Sequence, residues 1–405
     1  MTAEPVHLRL PVLSADPWWR AYGLAFRLAW RQLRAEPARL FSAIAGVLFA
    51  CILVFMQLGF RTALFDSATA LLSAMRAELF LMHPLTTASF RPEPLPRVRA
   101  WQPLGDPDVA LAVPIYLAQT AWRNPVDGSR RVIQLIGLDT EAGAVEFTGL
   151  SSLTDALKQP DTMAFDERSR PEFGPVKAIF QDQGPFKVEV GNREATIVGT
   201  IQIGASFGAD GNVVLSETNF RRYISSRPAS TIDLVALRLR PGADLAAVQA
   251  RLKAMLPADV LVLTHPELVR HERAYWENAT PIGFIFAFGS LMGLVVGLVI
   301  VYQILFADIA SHLSEYATLK AMGYSNAHLG RVVMSAAFIL AGLGFVPGIV
   351  ASYFLYGLTA KATFLPLFMT PSRALTVFVF IFAMCAVAGL LAIRKLRDAN
   401  PADMF

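Results

Sequence analysis

Apolar positions are not spread evenly along the chain; they fall in four blocks. Residues 40–60 contain no ionised side chain and are bounded by Arg39 and Arg61. A second uncharged run covers 278–307, with its apolar body at 282–306. A third covers 332–360, and a fourth, 374–393, is bounded by Arg373 and Arg394. At about 1.5 Å per residue, each can cross roughly 30 Å of hydrocarbon as a helix. Between the first two blocks the period changes. Segments 132–138 and 187–198 read as strands, the latter with a Gly191-Asn192 turn. Segment 233–264 reads strand, helix, strand: 234–237, then a Pro241-Gly242 turn, an amphipathic helix at 245–256, and a strand at 260–263. Helical patterns at 61–75 and 266–278 lead out of the first block and into the second, which predicts a stalk. The predicted fold class is an α-helical membrane protein with four transmembrane helices. An α+β extracytoplasmic domain, of one or two lobes, is inserted between helices 1 and 2.

Composition agrees with that pattern. The 405 residues are 54% hydrophobic and 17% charged, against about 45–50% and 25% in soluble domains. A net charge of +4 gives no field that would suggest nucleic acid. Cys51 and Cys385 both lie in apolar blocks, so no disulfide framework is implied, and six scattered histidines argue against a metal cluster. Arg20, Arg27, Arg31, Arg34 and Arg39 precede the first span, and Arg394, Lys395 and Arg397 follow the last. Lys361 and Arg373 are the basic residues between spans three and four. The excess of positive charge at the two ends places both in the cytoplasm. With nearly forty residues before it, the first span reads as an uncleaved anchor. Trp18, Trp19, Tyr22, Phe26 and Trp30, interleaved with arginines, suit either an interfacial helix or a soluble linker helix.

Small residues mark packing faces within the spans. Gly289, Gly293 and Gly297 repeat every four residues, and Gly344 and Gly348 do the same in span three, where Pro347 can kink the helix. These glycines are candidate helix-packing or dimer positions. No Asp, Glu, Lys or Arg lies inside a span, which argues against ion translocation through the helices themselves.

Catalytic signatures are weak. The charge-dense segment FDERSRPEFG at 165–174 reads as a solvated, salt-bridged loop. His271-Glu272 begins an HExxH pattern, but Tyr275 stands where the second histidine is needed. There is no G-x-S-x-G elbow and no phosphate loop, so any ATP-driven work needs a partner. The cytoplasmic loop between spans two and three carries Ile309, Leu313, Tyr316, Leu319 and Met322 at helical spacing, with Gly323 placed to stop the helix. Periodicity alone leaves open whether that helix lies on lipid or enters a partner's groove.

The architecture, one span, a large outer domain and three spans, resembles the MacB/FtsX-type permeases of ABC transporters. The segment LSEYATLKAMGYS at 313–325 is similar to that family's E-x-A/G-x-L-[KR]-A-[ML]-G loop, and the tail ANPADMF at 399–405 to its proline-containing ending. The stretches FMQLGFRTALFDS at 55–67 and 165–174 resemble DevC-type permeases. The resemblance implies a homodimer in which each copy binds a separate ABC ATPase. A periplasmic membrane-fusion adaptor and an outer-membrane channel would complete a tripartite exporter in contact with membrane lipid. It implies no cofactor in this chain, with ATP and Mg bound by the ATPase, and no nucleic acid. Leu313, Glu315, Tyr316, Leu319, Lys320, Met322 and Gly323 would then couple hydrolysis to motion of the outer domain, and the cargo would be lipid, glycolipid or other envelope material. FtsX-like relatives imply an alternative, in which the outer domain transmits force to a cell-wall hydrolase.

The expected organisation is a cytoplasmic N-terminus with its interfacial helix at 1–39, helix 1 at 40–60, and a periplasmic domain with stalk at 61–280. Helix 2 follows at 281–306, the coupling loop at 307–331, helix 3 at 332–356, a short periplasmic loop at 357–373, helix 4 at 374–393 and a cytoplasmic tail at 394–405. The expected location is the bacterial inner membrane.

Overall fold

The computed structural model describes residues 18–143, 145, 147–206, 208–279, 281–312, 318 and 326–398. The chain divides into two compact units. One is built from the described residues up to Gly59, from Phe286–Tyr356, and from Met369 onward. The other is Phe60–Ile285 with Gly357–Phe368.

Helix α1 (Trp18–Ala35) ends where Glu36 precedes Pro37, because the proline ring disfavours helical geometry in the residue before it. Its buried positions Ala25, Ala29 and Leu33 recur every four residues, while Leu24, Phe26 and Arg27 are exposed. Pro37 then starts α2 (Pro37–Ala68), at a position where its missing N–H is not needed. The short α3 (Ala70–Ser73) follows.

The outer unit is built on a sheet. In chain order its strands are β1 (Leu79–Met82), β2 (Leu95–Pro96), β3 (Val109–Arg123), β4 (Arg130–Leu138), β5 (Thr162–Asp166) and β6 (Phe186–Val190). They continue with β7 (Arg193–Ile201), β8 (Asn212–Ser216), β9 (Thr231–Ile232), β10 (Leu234–Leu239) and β11 (Leu261–Thr264). Among the described residues nine of these form one mixed sheet in the order β11-β1-β10-β3-β4-β8-β5-β7-β6, and β2 pairs with β9. Strand β6 also touches β3 through Trp122 and Val190. Five helices pack around the sheet: α4 (Thr154–Leu157), α5 (Val176–Gln183), α6 (Glu217–Tyr223), α7 (Leu245–Met255) and α8 (His265–Ala274).

Both faces of the sheet are buried, so alternation along a strand sorts side chains between two cores. Leu79 and Leu81 join Val235, Leu237 and Trp122 on one face, with Phe220 of α6 and Val248 and Leu252 of α7. Phe80 and Met82 join Ala236, Ile115 and Ile136 on the other, with Leu72 of α3 and Leu268 of α8. Local sequence fixes the helix starts. Asp244 caps α7 by accepting from the backbone N–H of Ala246 and Ala247. Thr264 and Glu267 form a reciprocal capping box at α8. Gly242, at φ +88°, makes the turn before α7 in a region open to glycine. The strand, helix, strand reading of 233–264 and the hairpin at Gly191-Asn192 both appear as elements.

The segment 165–174 departs from the expected solvated loop. Asp166 is fully buried at the end of β5. Its carboxylate accepts from the backbone N–H of Arg168 (3.1 Å), Ile203 (2.9 Å) and Gly204 (2.8 Å) and from Asn212 Nδ2 (2.9 Å). Converging N–H groups replace the water this carboxylate loses on burial, and no cation is needed. Phe165 and Phe173 pack on buried Trp122, with centroids 5.1 and 6.4 Å away, and Trp122 Nε1 donates to the Phe173 carbonyl. The ion pairs Lys177–Glu167 and Arg170–Asp210 form only the rim. Charge density in the sequence hid an aromatic core and one organising carboxylate.

After α8 the chain takes a π-helical turn, Tyr275–Ala279, then α9 (Pro281–Ser311), α10 (Asn326–Thr363) and α11 (Pro371–Asp398). Among the described residues four helices are long and apolar enough to cross a membrane: Pro37–Ala68, Pro281–Ser311, Ala327–Thr363 and Pro371–Arg394. The chain thus has four such helices and an α+β domain between the first and second. Helix α9 runs past the expected end at 306 and through Asp308. That carboxylate is buried with the His312 ring 3.6 Å away, so an ionisable group does not stop the helix there.

Replacing Asp166 by alanine strands four donors and is expected to cost about 3 kcal/mol. The check is thermal unfolding of the purified chain, where Asp166→Asn, which keeps one acceptor oxygen, should fall less; an alanine variant as stable as the parent would remove Asp166 as the organising group.

Candidate functional site

The helical unit is organised around α2. A Cβ added at Gly289 of α9 would lie 2.5 Å from Gln57 Nε2, and one at Gly293 3.2 Å from Leu53 Cβ. At Gly297 it would meet Ala50 Cβ and Met384 Sδ, each at 2.6 Å. On α10, a Cβ at Gly344 would strike Val47, and one at Gly348 would lie 2.6 Å from Cys51 Sγ. The five glycines singled out in the sequence therefore face neighbours within this one chain, on or around α2. Two more on α2 itself serve the same purpose and carried no repeat to draw attention. Gly46 faces Ile300, and Gly59 faces Tyr356, whose hydroxyl donates to the Phe55 carbonyl. The Arg373 guanidinium lies 5.6 Å from the Tyr356 ring. Gly59 could have been noticed as the gap in an otherwise bulky helix face. Tyr356 looks from sequence like any apolar residue of span three.

The buried edge of α9 is narrow: Gly293, Gly297, Val301 and Leu305 at four-residue spacing. Leu291, Met292, Val295, Val296 and Val299 are exposed around it. At the far end of α9, Ser311 Oγ donates to the Asp308 carbonyl and accepts from Arg39 Nη1 at 2.9 Å. Arg39 also pairs with Glu36 at 2.6 Å. The expected coupling residues Leu313, Glu315, Tyr316, Leu319, Lys320, Met322 and Gly323 follow directly, and all seven lie outside the described residues.

In the outer unit, the continuation of α2 beyond Phe60 and the helix α8 are laced together. Arg61 Nη2 donates to Glu277 Oε1 at 3.0 Å, and Arg273 Nη2 to Asp66 Oδ1 at 3.0 Å. Both guanidiniums lie over the Phe65 ring, Arg61 at 5.7 Å and Arg273 at 5.9 Å from its centroid. The ring of His265 reaches the Leu72 carbonyl at 3.0 Å. These exposed pairs are individually weak; their number and opposite polarity fix the register of the two segments.

One face of α8 holds the loop after β1. His271 Nε2 lies 2.8 Å from the Thr86 carbonyl. Glu272 is buried and accepts from Ser89 N–H (2.7 Å) and Trp276 Nε1 (3.2 Å). Phe90 packs on Tyr275 and Trp276. Burial pushes the Glu272 carboxyl above the ordinary glutamate value, and the two N–H donors only partly offset that. The His271-Glu272 pair that resembled the start of a metal motif is engaged in this strap. The π-turn follows at once, at the junction with α9, a geometry common where helices are interrupted for function.

Two outcomes follow from this geometry. Gly59→Ala puts a methyl on the Tyr356 hydroxyl and breaks its bond to the Phe55 carbonyl, at a cost of about 1–3 kcal/mol; the melting temperature in detergent should drop, and Tyr356→Phe should drop less. Glu272 binds its proton more tightly folded than unfolded, so its contribution to stability is full below the ordinary value of 4.5 and is lost as pH rises through the elevated folded value. Glu272→Gln should flatten that part of the stability–pH curve, and an unchanged curve would contradict the burial argument.

Two family models match the chain. A family model of the MacB-like periplasmic core domain matches residues 40–255, more than half of the chain. An FtsX-like permease C-terminal model matches residues 287–401. No curated protein matches the chain. Two solved structures resemble its outer part. One is the periplasmic region of MacB from Actinobacillus actinomycetemcomitans, 12% identical, covering 51% of this chain and 96% of that one with a TM-score of 0.33. The other is the extracellular domain of the noncanonic ABC-type transporter YknZ from Gram-positive bacteria, 13% identical, covering 46% and 98% with a TM-score of 0.31. Members of the matched families are permease components of ABC transporters and work with a partner ATPase. The chain belongs to the MacB/FtsX superfamily of ABC-transporter permeases.

Proposed function

We propose that this chain is the permease subunit of a tripartite ABC exporter of DevC type, and that it passes ATP-driven motion from a separate ATPase to its outer domain. In this reading two copies form the membrane dimer, both termini are cytoplasmic, and each copy docks one ATPase that binds ATP and Mg. A periplasmic membrane-fusion adaptor and an outer-membrane channel complete the path for lipid, glycolipid or other envelope-associated cargo. The observation that carries the reading is α2: one helix, Pro37–Ala68, contributes Gly46 and Gly59 to the helical unit and Arg61 and Asp66 to the laced stalk of the outer unit. Helix α9 leads from the stalk's π-turn to Asp308 and then to the segment 313–323. A displacement at 313–323 therefore reaches the outer unit along the chain through α9. The charge-free apolar runs support action on cargo outside the bilayer core.

The test is Glu315→Arg and Leu319→Asp in the reconstituted complex. A charge placed in an apolar groove should weaken ATPase docking by roughly tenfold or more and reduce export in parallel. Full docking and export in both variants would sink the coupling assignment. Purification in mild detergent decides the wider assembly: an ATPase with a fusion adaptor supports export, whereas an ATPase with a cell-wall hydrolase replaces it by force transmission.

A further inference from the structure

A cleft of about 860 Å³ lies in the outer unit, within the range of pockets that hold small organic ligands. Its two walls differ in chemistry. One comes from the segment that joins α10 to α11 and presents Phe364, Leu365, Pro366 and Phe368. Helices α10 and α11 are both long and apolar enough to cross a membrane, so their connection lies at a bilayer face. Phe364 and Phe368 are nevertheless exposed, at 45% and 68%.

Phe364 is also held at φ +58°, where a Cβ is disfavoured and glycine is the usual residue after a helix. Its N–H bonds to the Ala360 carbonyl, closing α10, and Leu367 N–H bonds to the Leu365 carbonyl, turning the chain around Pro366. A large aromatic residue kept in a strained cap, with its ring in a cavity rather than in a core, points to a contact made by that ring.

The opposite wall is the segment that Asp166 organises, with Arg168, Arg170 and Lys177 at its edge. Lys177 is engaged by Glu167 and Arg170 by Asp210. Asp66, also on the lining, is engaged by Arg273. Glu167 is further held by Gln202 at 2.6 Å. Arg168 is exposed and makes no ion pair among the described residues. Arg168 feels the neighbouring Glu167 carboxylate only at longer range, so its guanidinium is free of a close ion pair where it faces an apolar aromatic wall that starts at the membrane surface.

We propose that this cleft binds a single anionic membrane lipid, its acyl chain along Phe364, Leu365 and Phe368 and its acidic headgroup at Arg168. The proposal depends on the membrane placement of the four helices and not on the ATPase; only the further step, that this lipid is cargo, rests on the export reading. It also assigns a purpose to the strained cap, whose strain Phe364→Gly would relieve at the loss of the ring.

The test uses the full chain in phosphatidylcholine nanodiscs, without ATPase. Cys51 and Cys385 are buried in the helical unit, so Gln181→Cys, on the exposed face of α5 at the cavity, can carry a bimane label, with the unsubstituted chain as background. Phosphatidylglycerol with a spin-labelled acyl chain should quench the bimane about fivefold more than spin-labelled phosphatidylcholine at the same mole fraction, the preference one partly screened charge pair supplies. Arg168→Glu should abolish the preference and Arg168→Lys keep it. Phe364→Gly, which folds with less strain, should lower quenching by both lipids. Equal quenching by the two lipids, an unchanged preference in Arg168→Glu, or complete competition by inorganic phosphate would each overturn the proposal. Loss of export in the assembled complex with lipid preference intact would instead count against the coupling reading and leave the site standing.

Discussion

Close approach to α2 is the constraint on which the helical unit depends. Lipid tails are as apolar as leucine, so burying one apolar side chain against another gains little within a bilayer. Van der Waals fit between backbones remains, and it requires a missing side chain at each crossing. Gly289, Gly293 and Gly297 on α9, Gly344 and Gly348 on α10, and Gly46 and Gly59 on α2 supply those gaps. Where Gly59 opens the surface, the Tyr356 hydroxyl enters and donates to the Phe55 carbonyl. A methyl at any of the tight positions would separate helices that have no other strong reason to stay together.

The outer unit obeys a different rule. Water surrounds it, and its sheet has both faces covered, so successive residues of β1 enter opposite cores. The helices α3 and α8 that belong to the stalk supply Leu72 and Leu268 to one of those cores. Ionic contacts along the stalk, Arg61 with Glu277 and Arg273 with Asp66, then set register. Buried Glu272 ties α8 to the loop after β1 one turn before the π-helix. Packing supplies the strength and polar contacts supply the alignment, the reverse of their weighting in the bilayer, where a single hydrogen bond is hard to replace.

Asp166 shows how one polar group can shape a surface. Four N–H donors converge on it, which pins 166–168 to 203–204 and to Asn212. The aromatic cluster of Trp122, Phe165 and Phe173 fills the interior behind it. The cationic edge of the cleft is therefore presented on a fixed frame, although every residue in the segment reads as surface.

Much of this was legible in the residues alone. Four uncharged runs of twenty or more residues are each long enough to cross a bilayer as a helix, the form that satisfies every backbone group within its own segment. The Pro241-Gly242 turn and the hairpin at Gly191-Asn192 are local signals, and their elements formed where those signals stand. The sequence motif at 313–325 agrees with the family to which the chain belongs. Local pattern could not say which helix the glycines face, since a four-residue repeat marks a stripe but not its neighbour. Nor could it tell that the charged run at 165–174 conceals a buried carboxylate, because the donors that satisfy Asp166 at 203, 204 and 212 lie far along the chain. Phe364 comes to line the same cleft only through the path of the backbone. Short-range chemistry determines elements from the sequence by itself; the pairing of distant polar groups and the identity of a facing helix are fixed only when the tertiary structure brings them within a few ångströms.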